Sequence, residues 1–363
     1  MNSKQIISTR QFTIITFLYS IGTSILIIPA YLANLAKQDA WLAATIGVLL
    51  SLLLVMLFIT LANTFPQHSL IEIIVKVLGK WLGTFIATLF IVFSFLNSAG
   101  VLYYIGIFMQ IVIMPETPII AFVLLFALII IMASYLGLET FARSAEIFFP
   151  MFLLLFFFFI IFITPDIQFE NVRPVLDTAP RPFIASILYF MSIFSFPAIM
   201  LLMIFPYTVN KNKSAQKGFY LGLLLAGAVL ILIIALCILV LGTINTTSQN
   251  YPTYTLAQRI SIGDFFQRIE VIITFMWIIT IYIRTFIYFY TALIGLQQVF
   301  HIKDEKPLIL PLSLLLIGIS QIIHPNGTHS YIYDKGVWLP YSATFAILLP
   351  ILLLLIAKIR RLK

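Results

Sequence analysis

A glycine and two hydroxyl residues, Gly22-Thr23-Ser24, interrupt an apolar stretch that continues to Pro29. Phe194-Ser195-Phe196-Pro197 interrupts another, at a matching place in the second half of the 363 residues. Glycine permits unusual dihedrals and close approach. Thr and Ser can cap a helix or offer hydroxyls to a ligand, and Pro29 removes a helical hydrogen bond. A helix that restarts after Gly22 presents free N–H groups, which favour an anion such as a carboxylate. A helix that stops near Phe194 presents carbonyls that can accept from an ammonium group. Ser195 can cap the next helix, with Pro197 in its first turn. Facing each other, the two breaks would offer complementary ends to a small zwitterion. The alternative is a pair of ordinary kinks, because Gly and Pro are commoner in membrane helices than in soluble ones.

Further residue types add to this chemistry. Arg284 stands near the middle of a long apolar run, where a charge is costly and normally faces a partner or an aqueous cavity. A role in ligand or ion coupling competes with structural pairing to Glu139, Glu146 or carbonyls. Thr285 follows it, and Asn97 and Tyr103 lie on another run. Phe194 and Phe196 could shape a side-chain pocket. The candidate ligand set is therefore Gly22, Thr23, Ser24, Asn97, Tyr103, Phe194, Ser195, Phe196, Arg284 and Thr285. No cofactor or metal is expected. His324 and His329, with Asp334 near, lack metal-ligand spacing and read as solvated. Arg268 and Glu270 read as structural, and Cys237 as a buried packing residue. With no phosphate-binding loop, zinc motif or nucleophile elbow, nothing in the sequence points to an enzyme.

The elements that must position these residues are membrane spans. Charged residues make up 9% of the chain and hydrophobic residues 62%, against about 25% charged in a soluble domain. Too little polar surface remains to coat a water-facing globule, so the sequence predicts an all-α integral membrane protein. Apolar runs near or above span length occupy 11–35, 40–62, 82–112, 118–137, 144–164, 183–208, 218–243, 266–299, 308–323 and 338–358, the ninth being short. Of the 21 Lys and Arg, 14 fall in segments on one side and five on the other, with Arg268 and Arg284 inside the eighth span. The richer side is the cytoplasmic one, which places both termini there. The net charge of +8 is spread beside apolar runs, which suits anionic lipid headgroups rather than nucleic acid. No cleavable signal peptide is visible. The segment Pro66 to Gly83 reads as an amphipathic helix on the inner surface. The outer loops Pro165 to Pro182 and Asn245 to Gly263 could be lids or connectors.

Spans one to five and six to ten, about 10–164 and 183–358, form two blocks of odd number, so the second enters the membrane from the opposite side. Such a five-plus-five inverted repeat with broken helices 1 and 6 is an amino-acid-transporter architecture, and it makes residues 1–363 a single transmembrane domain. An unwound turn at that depth must be buried in protein or line a cavity. Two continuous helices packed shut would remove the basis for a solute site.

Ile7-Ser8-Thr9-Arg10-Gln11-Phe12, leading into Ile21-Gly22-Thr23-Ser24-Ile25-Leu26-Ile27-Ile28-Pro29, resembles a known family, as does Arg268-Ile269-Glu270-Val271-Ile272-Ile273-Thr274-Phe275-Met276-Trp277. With the ten-span length, these resemble the B subunit of the bacterial endospore germinant receptor, a member of the amino acid–polyamine–organocation transporter superfamily with a LeuT-like fold. The resemblance implies residence in the spore inner membrane and association with a larger A subunit and a lipoprotein C subunit. It also implies sensing of a small nutrient, often an amino acid, to trigger ion release and germination. The superfamily's substrate site matches Gly22, Thr23 and Ser24, and Phe194 to Pro197. Ser24 stands where superfamily transporters often have a second glycine, which would narrow the pocket or change ligand choice. The competing functions are a genuine secondary amino-acid transporter and a scaffold that binds no ligand.

Overall fold

Helix follows apolar length along this chain. The computed structural model describes residues 6–205, 209, 212–260 and 270–362; Arg268, three of the lysines counted above (Lys4, Lys211 and Lys363) and parts of the predicted spans 183–208 and 266–299 and of the loop 245–263 lie outside them. Among the described residues, seven helical stretches are long and apolar enough to cross a membrane: Ser24–Thr64, Lys80–Ile113, Ile119–Asp166, Pro180–Met203, Lys213–Ser248, Val271–Val299 and Gly327–Ile359.

Several of these stretches join shorter elements. Helix α1 (Thr9–Ile21) stops at Gly22, and α2 (Ser24–Ala36) and α3 (Ala40–Thr64) follow. Next come α4 (Leu70–Leu78), α5 (Lys80–Phe108) and α6 (Ile119–Ile163). A straight α6 of 45 residues would reach ~68 Å, about twice the hydrocarbon thickness. Gly137, at φ 82° and ψ 173°, divides it. Helix α7 (Pro180–Phe194) gives way to a 3-10 helix, Phe196–Met203. Helix α8 (Asn212–Leu236) leads through a wider turn to α9 (Gly242–Ser248) and α10 (Pro252–Gln258). Helix α11 (Val271–Val299) and the short α12 (Lys306–Ile322) precede α13 (Gly327–Ile332), α14 (Trp338–Ala343) and α15 (Leu349–Ile359).

Helix α11 is the central element. It packs on α5, α6 and α1, and its residues from Ile279 to Gly295 are buried without interruption. A helix apolar all round belongs in such a position. The outer helices instead leave Leu53, Leu125 and Phe157 exposed, which suits a lipid surround. Helix α8 lies close on α1 because Gly218 and Gly222 remove side chains from the contact: a Cβ at Gly222 would meet the Thr13 carbonyl oxygen at 2.6 Å. Small residues four apart are a common device for close helix pairs in membranes.

Polar residues fasten the ends. Ser8 accepts from the Gln11 backbone N–H while the Gln11 side chain accepts from Ser8, a reciprocal cap that starts α1. Gln11 Nε2 also donates to Glu146 at 3.0 Å, and the Ile6 N–H donates to Glu139 at 2.9 Å. The two carboxylates therefore hold the amino-terminal segment, and neither pairs with Arg284, one of the alternatives the sequence left open. Helix α4 is capped by Ser69 and Glu72. Its apolar residues Leu70, Ile71, Ile73, Ile74 and Val77 are buried, in a helix that packs on α5, α15 and α11, so protein rather than lipid covers much of the predicted amphipathic face. In the segment 165–182, Thr178 and the Leu176 N–H both donate to buried Asp39, which pins this loop to the start of α3.

Candidate functional site

The break after α1 is a real one. Gly22 takes φ +34° and ψ −124°, and its N–H still bonds back to the Leu18 carbonyl at 3.1 Å. The reason that glycine stands here is steric: an added Cβ would lie 2.5 Å from Cδ and Nε of Arg284. The Arg284 side chain crosses directly over the broken turn. Its Nη1 donates to Thr23 Oγ1 at 2.5 Å and its Nη2 to the Ile193 carbonyl at 2.7 Å. The guanidinium also lies 5.4 Å from the centre of the Tyr19 ring, within range of a cation–π contact. Tyr19 in turn donates to the Pro197 carbonyl at 2.8 Å, and Thr280 shares its hydroxyl between the Gly22 and Trp277 carbonyls.

Arg284 therefore joins both breaks. It is 2% exposed, and its structural partners are a hydroxyl and a carbonyl, the last of the alternatives the sequence allowed. The carbonyl it occupies belongs to the end of α7, where the sequence suggested a ligand's ammonium group. A resident cation already sits there.

Beside this tie lies a cavity of about 200 Å³, smaller than the ~300–1,000 Å³ usual for drug-sized ligands. Thr23 and Ile27 line it after the first break, and Ile193 and Pro197 around the second. Asn97, Gly100, Val101 and Tyr104 contribute one face of α5, and Arg284 and Tyr288 consecutive turns of α11. Ile323, His324, His329, Tyr333, Asp334 and Trp338 close it from the segments after α12. A second cavity of about 670 Å³ opens beyond it, and Ile27, Tyr104 and Asp334 line both. The larger one is bordered by residues 247–251 and by residues 327–335.

Of the ten residues singled out from the sequence, Thr23, Asn97 and Arg284 line the smaller cavity. Gly22 lies beneath Arg284. Ser24 bonds back to the Ser20 carbonyl at 3.4 Å. Neither Thr23 nor Ser195 caps the following helix with its side chain; Ser195 instead accepts from Ser51 at 2.8 Å. Phe194 and Phe196 are buried, the former against Phe190. Tyr103 packs on His324 at 5.0 Å between ring centres, and the Thr285 hydroxyl bonds within its own helix to Ile281. His324, read as solvated, is 4% exposed. Its Nδ1 lies 3.2 Å from Nδ1 of His329, and burial together with the neighbouring His329 pushes its pKa down to about 4. No group of three or more metal-ligating side chains occurs among the described residues.

Tyr288, Tyr333 and Trp338 are lining residues that the sequence did not single out, and Asp334 stood out there only beside the two histidines. Tyr288 had a signal, since it stands four residues beyond Arg284 on the same helical face. Tyr104 stands on the same face of α5 as Asn97, Gly100 and Val101.

A polytopic helical bundle with two broken helices and a polar-ended hollow between them defines an integral membrane protein of transporter fold. A solved structure shares that fold: Mhp1, a nucleobase-cation-symport-1 family transporter in a closed conformation with bromovinylhydantoin bound, superposes with a TM-score of 0.57 at 12% identity, over 98% of this chain and 94% of that one. The particular family follows from sequence. A family profile described as "Spore germination protein" matches residues 6–328, and the chain belongs to that family. Spore germination protein KB of Bacillus subtilis (strain 168) is 27% identical over 355 residues, covering 97% of this chain and 94% of that protein. Spore germination protein GerLB of Bacillus cereus is 25% identical over 350 residues, covering 94% and 91%.

Proposed function

We propose that this chain is the membrane subunit of a spore nutrient-germinant receptor. It binds a small nutrient, an amino acid, in the cavity between the broken helices and signals to partner subunits to trigger germination. The observation that carries this reading is the hollow bounded by both breaks and by a buried guanidinium that touches each. A ligand there changes the balance between conformations by as much as its affinity for them differs. Gly22, Thr23, Ser24, Asn97, Arg284 and the turn at Phe194 to Phe196 make up the site, with Tyr103, packed on His324, and Thr285, next to Arg284, beside it.

The reading includes ten spans in a five-plus-five inverted repeat. Its support is the division of α6 at Gly137 and the counting of α1 with α2, and of α7 with its 3-10 extension, as single crossings. Residues 1–363 then form one transmembrane domain in the spore inner membrane, both termini facing the core, with an A subunit and a lipoprotein C subunit as partners. The chain carries out no covalent chemistry in this scheme.

Spores lacking this chain are expected to lose the response to at least one nutrient in a panel of amino acids. Substitutions at Asn97 are expected to alter nutrient choice while receptor abundance stays constant. An unchanged response in the deletion strain would overturn the reading. A second reading, a secondary amino-acid transporter, draws support from the likeness to the Mhp1 fold. Uptake of labelled amino acid into vesicles holding this chain alone would favour it; binding without flux favours the sensor.

A further inference from the structure

The cavity holds a guanidinium and a carboxyl group that form no ion pair with each other. Arg284 lines it from α11 and Asp334 from the turn between α13 and α14. Arg284 is bonded to neutral acceptors only, which engage two of the five N–H donors a guanidinium carries. Asp334 accepts from the Tyr104 hydroxyl at 2.7 Å, and no basic side chain pairs with it; the ion pair found among the described residues is Arg10 with Glu146. Lys335, its chain neighbour, lies over the Tyr331 and Tyr31 rings. The other basic neighbours on the same wall are His324 and His329, and His324 is neutral at pH 7 because burial holds its pKa at about 4.

Charges removed from water without partners are costly, and the cost is recovered when a complementary group arrives. Apolar residues, Ile27, Val101, Ile193 and Trp338 among them, also line the cavity. At the end of α7, Ile193 already gives its carbonyl to Arg284 and Ser192 gives its carbonyl to Trp338. The carboxyl group of Asp334 offers a ligand's ammonium group another acceptor in the same cavity.

We propose that Asp334, held in place by Tyr104, recognises the cationic nitrogen of the ligand, so that the cavity takes a small apolar amino acid as a zwitterion with its carboxylate toward Arg284. This deepens the ligand-site reading above and rests on it. Asp334 and Tyr104 also border the larger cavity, so the same pair stands where a ligand would pass from one to the other.

The test uses the purified full-length chain in lipid nanodiscs and measures binding of L-alanine, L-valine and L-leucine, and of the 2-hydroxy acid matching each. A hydroxy acid keeps the carboxylate and side chain but lacks the ammonium group. In the wild type, at least one amino acid is expected to bind, and its hydroxy acid at least about thirtyfold more weakly. Asp334→Asn should bring the amino acid down to the affinity of the hydroxy acid and leave the hydroxy acid unchanged, while Asp334→Glu retains the preference. Equal wild-type affinity for the two acids overturns the proposal without any variant. An amino acid that binds Asp334→Asn as it binds the wild type also overturns it, and leaves the ligand site standing. Failure of every probe to bind the wild type overturns the proposal together with the reading it rests on.

Discussion

At the scale of single residues, Arg284 shows how far one sequence can be read. A charge in the middle of an apolar run announces a site, because the surrounding medium gives it no water. Its partners could not be read, since Thr23 lies 261 residues away and Ile193 lies 91 residues away; only tertiary packing brings them together. Gly22 was legible as a break but not as the bed for a guanidinium. Gly22→Ala places a Cβ 2.5 Å from Arg284 Nε at a φ of +34°. We predict a loss of about 1–3 kcal/mol from crowding alone, read as a lower midpoint of thermal unfolding in detergent. An unshifted midpoint would mean that Arg284 does not lie across the turn. At the helix ends there is also competition: in the sequence the carbonyls near Phe194 look open to a ligand, while a side chain of the protein already holds one of them.

At the scale of elements, apolar length located the helices and Gly, Ser and Pro located their interruptions. What length could not supply was the contact between helices. Gly222 and Gly318 look alike in sequence, yet a Cβ at Gly222 would lie 2.6 Å from the Thr13 carbonyl oxygen and one at Gly318 meets nothing within 4 Å. Gly222→Ala is therefore predicted to cost about 1–3 kcal/mol, and Gly318→Ala in α12 to be neutral or stabilising by up to about 1 kcal/mol. Matched thermal unfolding curves of the two variants check this; equal shifts would count against the close pairing of α1 and α8. Helix α4 offers a further test. Ser69 caps it and also donates to Gln298 of α11 at 2.7 Å. Ser69→Ala should lower stability by about 1 kcal/mol or more, with faster amide exchange localised to α4 in a hydrogen-exchange measurement.

At the scale of the whole molecule, the cavity is assembled from α2, α5, α7, α11 and the chain after α12, five regions that no local pattern connects. The carboxy-terminal contribution was the least legible part. His324 read as solvated because it follows a short apolar helix and precedes polar residues. In the fold, Tyr103, Tyr104 and Tyr333 surround its ring. Its pH consequence has a definite sign. The folded-state pKa is about 4, below the ordinary 6.5, so between those values the unfolded chain binds a proton that the folded chain does not. The stability contribution is complete above about pH 6.5 and is lost as the pH falls toward about 4. Thermal unfolding of the wild type from pH 7.5 to 4.5 should show a progressive decline that is smaller in His324→Gln. Identical pH profiles for the two proteins would argue against a buried neutral imidazole.

The guanidinium shared by both interruptions also bears on quiescence. Any motion that parts Thr23 from Ile193 strands a cation among hydrocarbon groups, at a cost of several kcal/mol. At that threshold the empty molecule rarely leaves the joined arrangement by itself, and one arginine sets how seldom the two interruptions part.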